Sequence, residues 1–270
     1  MQAMLTILGS GTSMGVPTLG CDCAVCRSTD PHDQRTRPSA RIQFRDSLES
    51  LDRTLLIDTG TDFRQQALRE SITRVDAVLY THAHADHILG FDDLRPLSFG
   101  PGRNIPLYAD SAAADTIEHI FDYTFSKASK YPTSARVTMH RTTADPAAAV
   151  TFDLFGLTIQ RIPVQHGPQL IAGYRFGKAA YLTDMNGLPA ASIPLLQNLD
   201  VLILDALRRD PHPSHSTLDQ SIALVQQLKP RQAWFTHMSH DLPHAATNAS
   251  LPPGMALAYD GLRIPFEIAS

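Results

Sequence analysis

The sequence predicts a layered α/β sandwich, on two observations. Short apolar runs with β-branched and aromatic members recur at 1–9, 40–44, 54–57, 76–80, 106–109, 150–153, 157–163, 171–176, 179–183, 201–204, 232–236 and 262–266, each read as a strand. Helical patterns are interspersed at 61–70, 111–121, 189–195 and 217–228, a mixture that favours packed layers over an all-α or all-β fold. Glycine and proline are scattered as turn punctuation, and no repeat, heptad array or low-complexity tract breaks the 270 residues. They are therefore expected to form one domain, 1–270.

The first strand ends at Gly9 and lacks both a basic lead and a long hydrophobic segment. This reading expects a cytoplasmic protein without membrane insertion. The turn Gly9-Ser10-Gly11-Thr12-Ser13-Met14-Gly15-Val16-Pro17 superficially suggests a phosphate loop, but the lysine and the following helix are missing. A glycine-enabled tight turn near the site is expected instead. Cys21, Cys23 and Cys26 then crowd together at about 20–27, an odd set that makes a poor disulfide framework but a good metal knuckle. A tetrahedral zinc on three thiolates needs a fourth ligand, expected to be a histidine from elsewhere in the chain.

The densest chemistry follows the strand at 76–80. In Thr81-His82-Ala83-His84-Ala85-Asp86-His87 three imidazoles and a carboxylate fall within six positions, enough to hold two divalent ions side by side. His82 and His84, two apart in an extended loop, point the same way, while Asp86 and His87 open a helix whose positive end suits a carboxylate. Three other strands also end in a metal-competent residue. His166 follows the strand at 157–163, Asp184 follows Tyr181-Leu182-Thr183, and His237 follows Trp234-Phe235-Thr236. One rim of a sandwich would bring these ends together on a rigid frame. Asp58, after Leu55-Leu56-Ile57, suits an acceptor that fixes the orientation of a ligating histidine.

A formal charge of −4 argues against broad nucleic-acid binding, which needs a basic footprint. The basic stretch of Lys127, Lys130, Arg136 and Arg141 is read as a solvated face.

With these residues quoted, the chain resembles the metallo-β-lactamase-fold hydrolases, whose His-x-His-x-Asp-His signature is matched by His82, His84, Asp86 and His87. The Gly9–Pro17 turn leading into the cysteines resembles the PhnP type of phosphodiesterase, which acts on cyclic ribosyl phosphates and is related to tRNase Z. The resemblance implies a four-layer αββα sandwich with two divalent metal ions, zinc or manganese, at one edge. His82, His84, His166 and Asp184 would hold one ion, and Asp86, His87, Asp184 and His237 the other. It also implies His240 as the fourth ligand of a structural zinc with Cys21, Cys23 and Cys26, and His215 as the proton donor to the leaving group.

The function expected is metal-dependent hydrolysis of a small phosphodiester. Paired divalent ions ionise water near neutral pH, and Asp86 and His215 carry the catalytic roles. Arg208 and Arg209 could clamp a second phosphate of the substrate bidentately. Two alternatives share the fold: a lactonase or carboxylic-ester hydrolase, and a tRNA 3′ processing endonuclease, disfavoured because no long basic arm is inserted. A nucleic-acid polymer is not the expected partner, and a homodimer is compatible with the sequence.

Overall fold

The computed structural model describes residues 2–46, 49–100, 102–126, 128 and 131–268. Lys127 and Lys130 lie outside them. Among the described residues fourteen strands run in chain order as β1 (Gln2–Gly9), β2 (Ser39–Arg45), β3 (Asp52–Ile57), β4 (Ala77–Leu79), β5 (Ile105–Ala109), β6 (Val137–Arg141), β7 (Val150–Leu154), β8 (Leu157–His166), β9 (Gln169–Phe176), β10 (Ala179–Leu182), β11 (Val201–Asp205), β12 (Gln232–Thr236), β13 (Met255–Leu257) and β14 (Arg263–Glu267). The helices are α1 (Phe63–Arg69), α2 (Ala85–Ile88), α3 (Arg95–Ser98), α4 (Ser111–Ile120), α5 (Asp122–Phe125), α6 (Leu218–Leu228) and α7 (His244–Asn248).

The strands form two seven-stranded sheets built to one plan, ordered β14-β1-β2-β3-β4-β5-β6 and β13-β12-β11-β10-β9-β8-β7. Pairing is antiparallel from β14 to β3 and parallel from β3 to β6. In the second sheet it is likewise antiparallel from β7 to β10 and parallel from β10 to β13. Parallel strands send their carboxyl ends to the same edge, so each sheet gathers several chain turns at one rim.

Period-two alternation separates the layers. Leu55 and Ile57 of β3, Ala77 and Leu79 of β4, Tyr174 and Phe176 of β9 and Val201 and Ile203 of β11 meet in the core between the sheets. Their neighbours face outwards: Leu56 and Val78 pack with Phe63, Phe91 and Ala114, while Leu202 and Leu204 pack with Val225 and Leu228 of α6. The result is the αββα sandwich of the metallo-β-lactamase fold. Helix α6 starts at a capping box, in which the Thr217 hydroxyl accepts from the Gln220 N–H (3.2 Å) and the Gln220 side chain accepts from the Thr217 N–H (2.8 Å).

The four-residue helices α3 and α5 were not expected, and four further elements differ from the sequence reading for visible reasons. The helix expected at 189–195 is a 3-10 stretch, Ala190–Leu196, because Pro194 sits inside it and cannot donate an α-helical hydrogen bond. β6 was missed because its alternate residues Thr138 and His140 are exposed and Arg141 is charged, which hides an edge strand. The three-residue β13 and the five-residue α7 are too short to show a period.

At the shared rim the chain leaves its strands abruptly. Asp58, Asp184 and His237 all have left-handed backbone (φ 61°, 54° and 60°), a conformation that costs a non-glycine residue about 1–2 kcal/mol. Gly60 then lets the turn after β3 press against α2: a Cβ there would lie 1.9 Å from the Asp86 carbonyl oxygen. The Thr59 N–H donates to the His87 carbonyl (2.8 Å) and the Gly90 N–H to the Thr59 carbonyl (2.9 Å), so α2 is clamped to the strand that carries Asp58. Gly60→Ala is therefore expected to lower the unfolding free energy by about 1–3 kcal/mol and to loosen metal retention with it, read by thermal unfolding and by metal content after dialysis. Unchanged values for both would refute the clamp.

Candidate metal centre

Two groups of four side chains come together at the rim, sharing one carboxylate. His82, His84, His166 and Asp184 form one group, and Asp86, His87, Asp184 and His237 the other, with the candidate ligand atoms of each group mutually within 4.8 Å. The Asp184 carboxylate lies between the His87 and His237 Nε2 atoms, 3.2 Å from each, and 3.8 Å from His82 Nε2. Asp86 Oδ2 stands 3.2 Å from His87 Nε2 and 3.7 Å from His237 Nε2. In the first group His84 is exposed; in the second every member is buried.

The donor set fits divalent cations. His82 Nε2, His87 Nε2, His237 Nε2 and Asp86 Oδ2 are all buried and make no hydrogen bond. Buried polar atoms left without partners cost about 1–3 kcal/mol each, so four of them converging on one another call for a cation. Protein contacts on the far side of the rings aim several of these donors. His87 Nδ1 donates to Asp58 Oδ2 (2.7 Å), and Asp58 is itself held by the Thr81 N–H and hydroxyl, each at 2.8 Å. His166 Nδ1 donates to the Ser214 carbonyl (3.0 Å), leaving Nε2 for the cluster. The orienting role expected of Asp58 thus falls on His87.

Electrostatics point the same way. Burial alone would lower the His87 pKa, but Asp184, Asp86 and Asp58 outweigh it and hold the imidazole well above its usual range. For His237 burial is likewise outweighed, by Asp184 first, and the pKa is pushed up to about 10. Asp184 shows the converse: burial raises its pKa, yet His237 and His87 hold it well below the usual carboxylate range. Without divalent ions, then, protons on imidazole neutralise the carboxylates.

His215 stands beside the clusters, where its ring stacks on His237 (centroids 4.6 Å apart, planes at 12°) and lies 5.0 Å from His166. Its Nδ1 donates to Asp205 Oδ2 at 2.7 Å, and that oxygen also accepts the Met185 N–H (2.9 Å). The sequence reading missed Asp205. It ends the strand expected at 201–204, the same strand-end signal that found Asp58, His82, Asp184 and His237. His212, also passed over, has its ring 5.0 Å from that of His215. Arg208 turns its guanidinium onto the carbonyls of Asp210 and Pro211 (3.2 and 3.1 Å), and Arg209 is exposed. Neither joins the clusters.

The cysteines gather as a second, separate centre. Cys21, Cys23, Cys26 and His240 have their ligand atoms mutually within 4.8 Å, with His240 Nδ1 3.3 Å from both Cys21 Sγ and Cys26 Sγ. The Thr18 N–H donates to Cys26 Sγ (3.3 Å) and the Cys26 N–H to Cys23 Sγ (3.4 Å), contacts that favour thiolates. Burial first, with Cys21 and Cys23 adding to it, pushes the Cys26 thiol up to about 11, a cost that a bound cation would remove. The glycine-rich turn lies alongside, its Thr12 N–H donating to the carbonyl of Met238, the residue after His237 (3.1 Å).

A sequence profile of the beta-lactamase superfamily domain matches residues 53–238. The chain belongs to that superfamily. A crystal structure described as a new diphosphatase from the PhnP family is 51% identical and superposes with a TM-score of 0.90, covering 100% of this chain and 99% of the other. Human tRNase Z, short form, has the same fold at 18% identity and a TM-score of 0.69, over 99% of this chain and 100% of its own. Among curated proteins the octanoyltransferase of Porphyromonas gingivalis is 39% identical over 95% of this chain, but the chain spans only 50% of that protein's length. This chain thus has the metallo-β-lactamase fold and is similar over its whole length to a PhnP-family enzyme.

Because His87 and His237 are held protonated at neutral pH in the metal-free protein, while imidazole binds metal only when neutral, loading should expel their protons. Titration with Mn²⁺ at pH 7, of protein that carries zinc at the cysteine site only, is expected to release about two protons per chain at the histidine clusters, read by calorimetry in buffers of different ionisation enthalpy. Binding should tighten as pH rises. The linkage for folding has the opposite sign: with its pKa raised, the His237 contribution to metal-free stability is full below about pH 6.5 and lost as pH climbs through about 10. Metal binding at the histidine clusters without proton release would contradict this charge balance.

Proposed function

We propose that the chain hydrolyses small phosphodiesters, cyclic ribosyl phosphates among them, using two divalent ions, zinc or manganese, at the histidine and aspartate clusters. A third, structural zinc is proposed on Cys21, Cys23, Cys26 and His240. His82, His84, His166 and Asp184 would hold one catalytic ion, and Asp86, His87, Asp184 and His237 the other. Bound there, the ions would supply Lewis acidity, ionising water near neutral pH and neutralising charge on the phosphoryl oxygens. The similarity to a PhnP-family diphosphatase supports phosphoryl chemistry. The octanoyltransferase name belongs to a protein twice as long. A cytosolic setting suits the reading, since Cys21, Cys23 and Cys26 stay reduced there.

The observation that carries the proposal is the Asp205–His215 pair set against His237. Its 2.7 Å hydrogen bond fixes the His215 tautomer with the proton on Nδ1 when neutral, so Nε2 is the nitrogen that can take up a further proton and deliver it. Asp205 supports the resulting imidazolium and keeps the ring in place. Protonation at the departing oxygen matters most for a poor leaving group such as a sugar hydroxyl, where positioned acid catalysis is worth about 10²–10⁴-fold.

His215→Ala should accordingly slow diesters with alkyl leaving groups by about 10²–10⁴-fold while p-nitrophenyl esters lose less than about tenfold, measured as kcat/KM on fully metal-loaded protein. Asp205→Asn should show the same selectivity in milder form. Equal losses on both substrate types would remove His215 from the acid role. Turnover of acyl-homoserine lactones with none of phosphodiesters would overturn the reaction class.

A further inference from the structure

The two flanks of the metal centre differ in chemistry. On one side the loop after β11 brings Arg208, His212 and the Asp205–His215 pair. On the other, a cleft of about 590 Å³ opens against the His82 and His84 rings, walled by Ala83, Ala112, Thr116, Pro168, Leu170 and Ile171. Among the described residues no lysine or arginine lines it, and the one carboxylate that does, Asp110, is already engaged. Asp110 Oδ1 caps α4 by accepting the Ala113 N–H (3.0 Å), and Oδ2 accepts from Arg161 (3.1 Å).

Arg161 also accounts for the cleft being built rather than incidental. Fully buried behind the wall, it donates to the carbonyls of Pro146 (3.0 Å) and Ala148 (2.9 Å) as well as to Asp110. It thereby ties the start of α4 to the 146–148 loop, and Pro146 and Ala112 stand as walls of the same cleft. The Arg161 guanidinium is thus spent on fixing the shape of the cavity.

We infer that this cleft is a specificity subsite for an uncharged, mostly apolar ring on the part of the substrate that stays with the phosphoryl product, the chemical class of a nucleobase or aryl group. The inference rests on the phosphodiesterase reading. A phosphoryl group held between the clusters has its departing oxygen towards His215 and its retained substituent towards His82 and His84, where Leu170, Pro168 and the α4 face offer apolar contact and Thr116 a neutral polar one. A second phosphate or a carboxylate would find no counter-charge there and would be desolvated without return. Arg208 and Arg209, read from the sequence as a phosphate clamp, do not line this cleft.

The test compares thymidine 5′-monophosphate with methyl phosphate as ligands of the zinc-loaded protein by calorimetry, since the two share the phosphoryl group and differ in the nucleoside that carries the ring, with 2-deoxyribose 5-phosphate as the control for the sugar. The thymidine compound should bind about tenfold or more tighter through covered ring area. Ala112→Trp and Thr116→Trp, both on the exposed face of α4, should fill the cleft and abolish that ratio while leaving methyl phosphate affinity within about twofold. In turnover, the p-nitrophenyl ester of thymidine 5′-phosphate should beat methyl p-nitrophenyl phosphate in KM by a similar factor, again only without the tryptophans. Equal affinity of the wild-type protein for the two monophosphates, or tryptophan variants that weaken both alike, would overturn the subsite. Absence of any phosphodiester turnover with the affinity ratio intact would overturn the reaction and leave the subsite standing.

Discussion

Everything at this rim answers to buried negative charge. Asp58, Asp184 and Asp205 are 0%, 2% and 0% exposed and Asp86 is 7% exposed, all within one group of hydrogen-bonded or facing side chains. Moving a single carboxylate out of water costs several kcal/mol unless positive charge meets it. Packing gives no reason to collect four of them. The surrounding imidazoles resolve the problem in either of two ways, by carrying protons themselves or by turning neutral nitrogen towards divalent cations. The second solution also satisfies the donor atoms that hydrogen bonding leaves unpaired.

The sheets explain how such costly groups converge. Each sheet changes from antiparallel to parallel pairing at one strand, β3 in the first and β10 in the second, and each of these strands is followed by an aspartate in left-handed backbone. Asp58 and Asp184 thus sit at corresponding places in a repeated plan and do different work. Asp58 is turned onto His87 and the Thr81 backbone, whereas Asp184 faces both clusters. The neighbouring parallel strands β4, β11 and β12 add His82, Asp205 and His237 in the same way. Strain in the turns is the cost of bringing side chains from distant segments to one point, and Gly60 removes the steric block that would hold α2 away.

Much of this was legible in the sequence because the chemistry follows strand ends. The apolar runs before His82, Asp184 and His237 located the rim, and the histidine-rich loop marked it as dense in metal-competent donors. Asp205 escaped for want of one residue of strand boundary, since an aspartate on the last position of a buried strand reads as its terminator. The pairing of His240 with the cysteines depends on a contact 214 residues apart from Cys26, which no local spacing encodes. Arg208 was read by charge alone, and only the fold shows its guanidinium turned back onto its own loop.

The central claim is that the two histidine clusters are one centre joined through Asp184. Metal content of an Asp184→Asn variant, dialysed after zinc loading and checked for folding by circular dichroism, tests it most directly. The account predicts that the histidine-bound ions are lost together while the cysteine-bound ion remains. Retention of either histidine-bound ion at full occupancy in the folded variant would show that the clusters are independent and contradict the account.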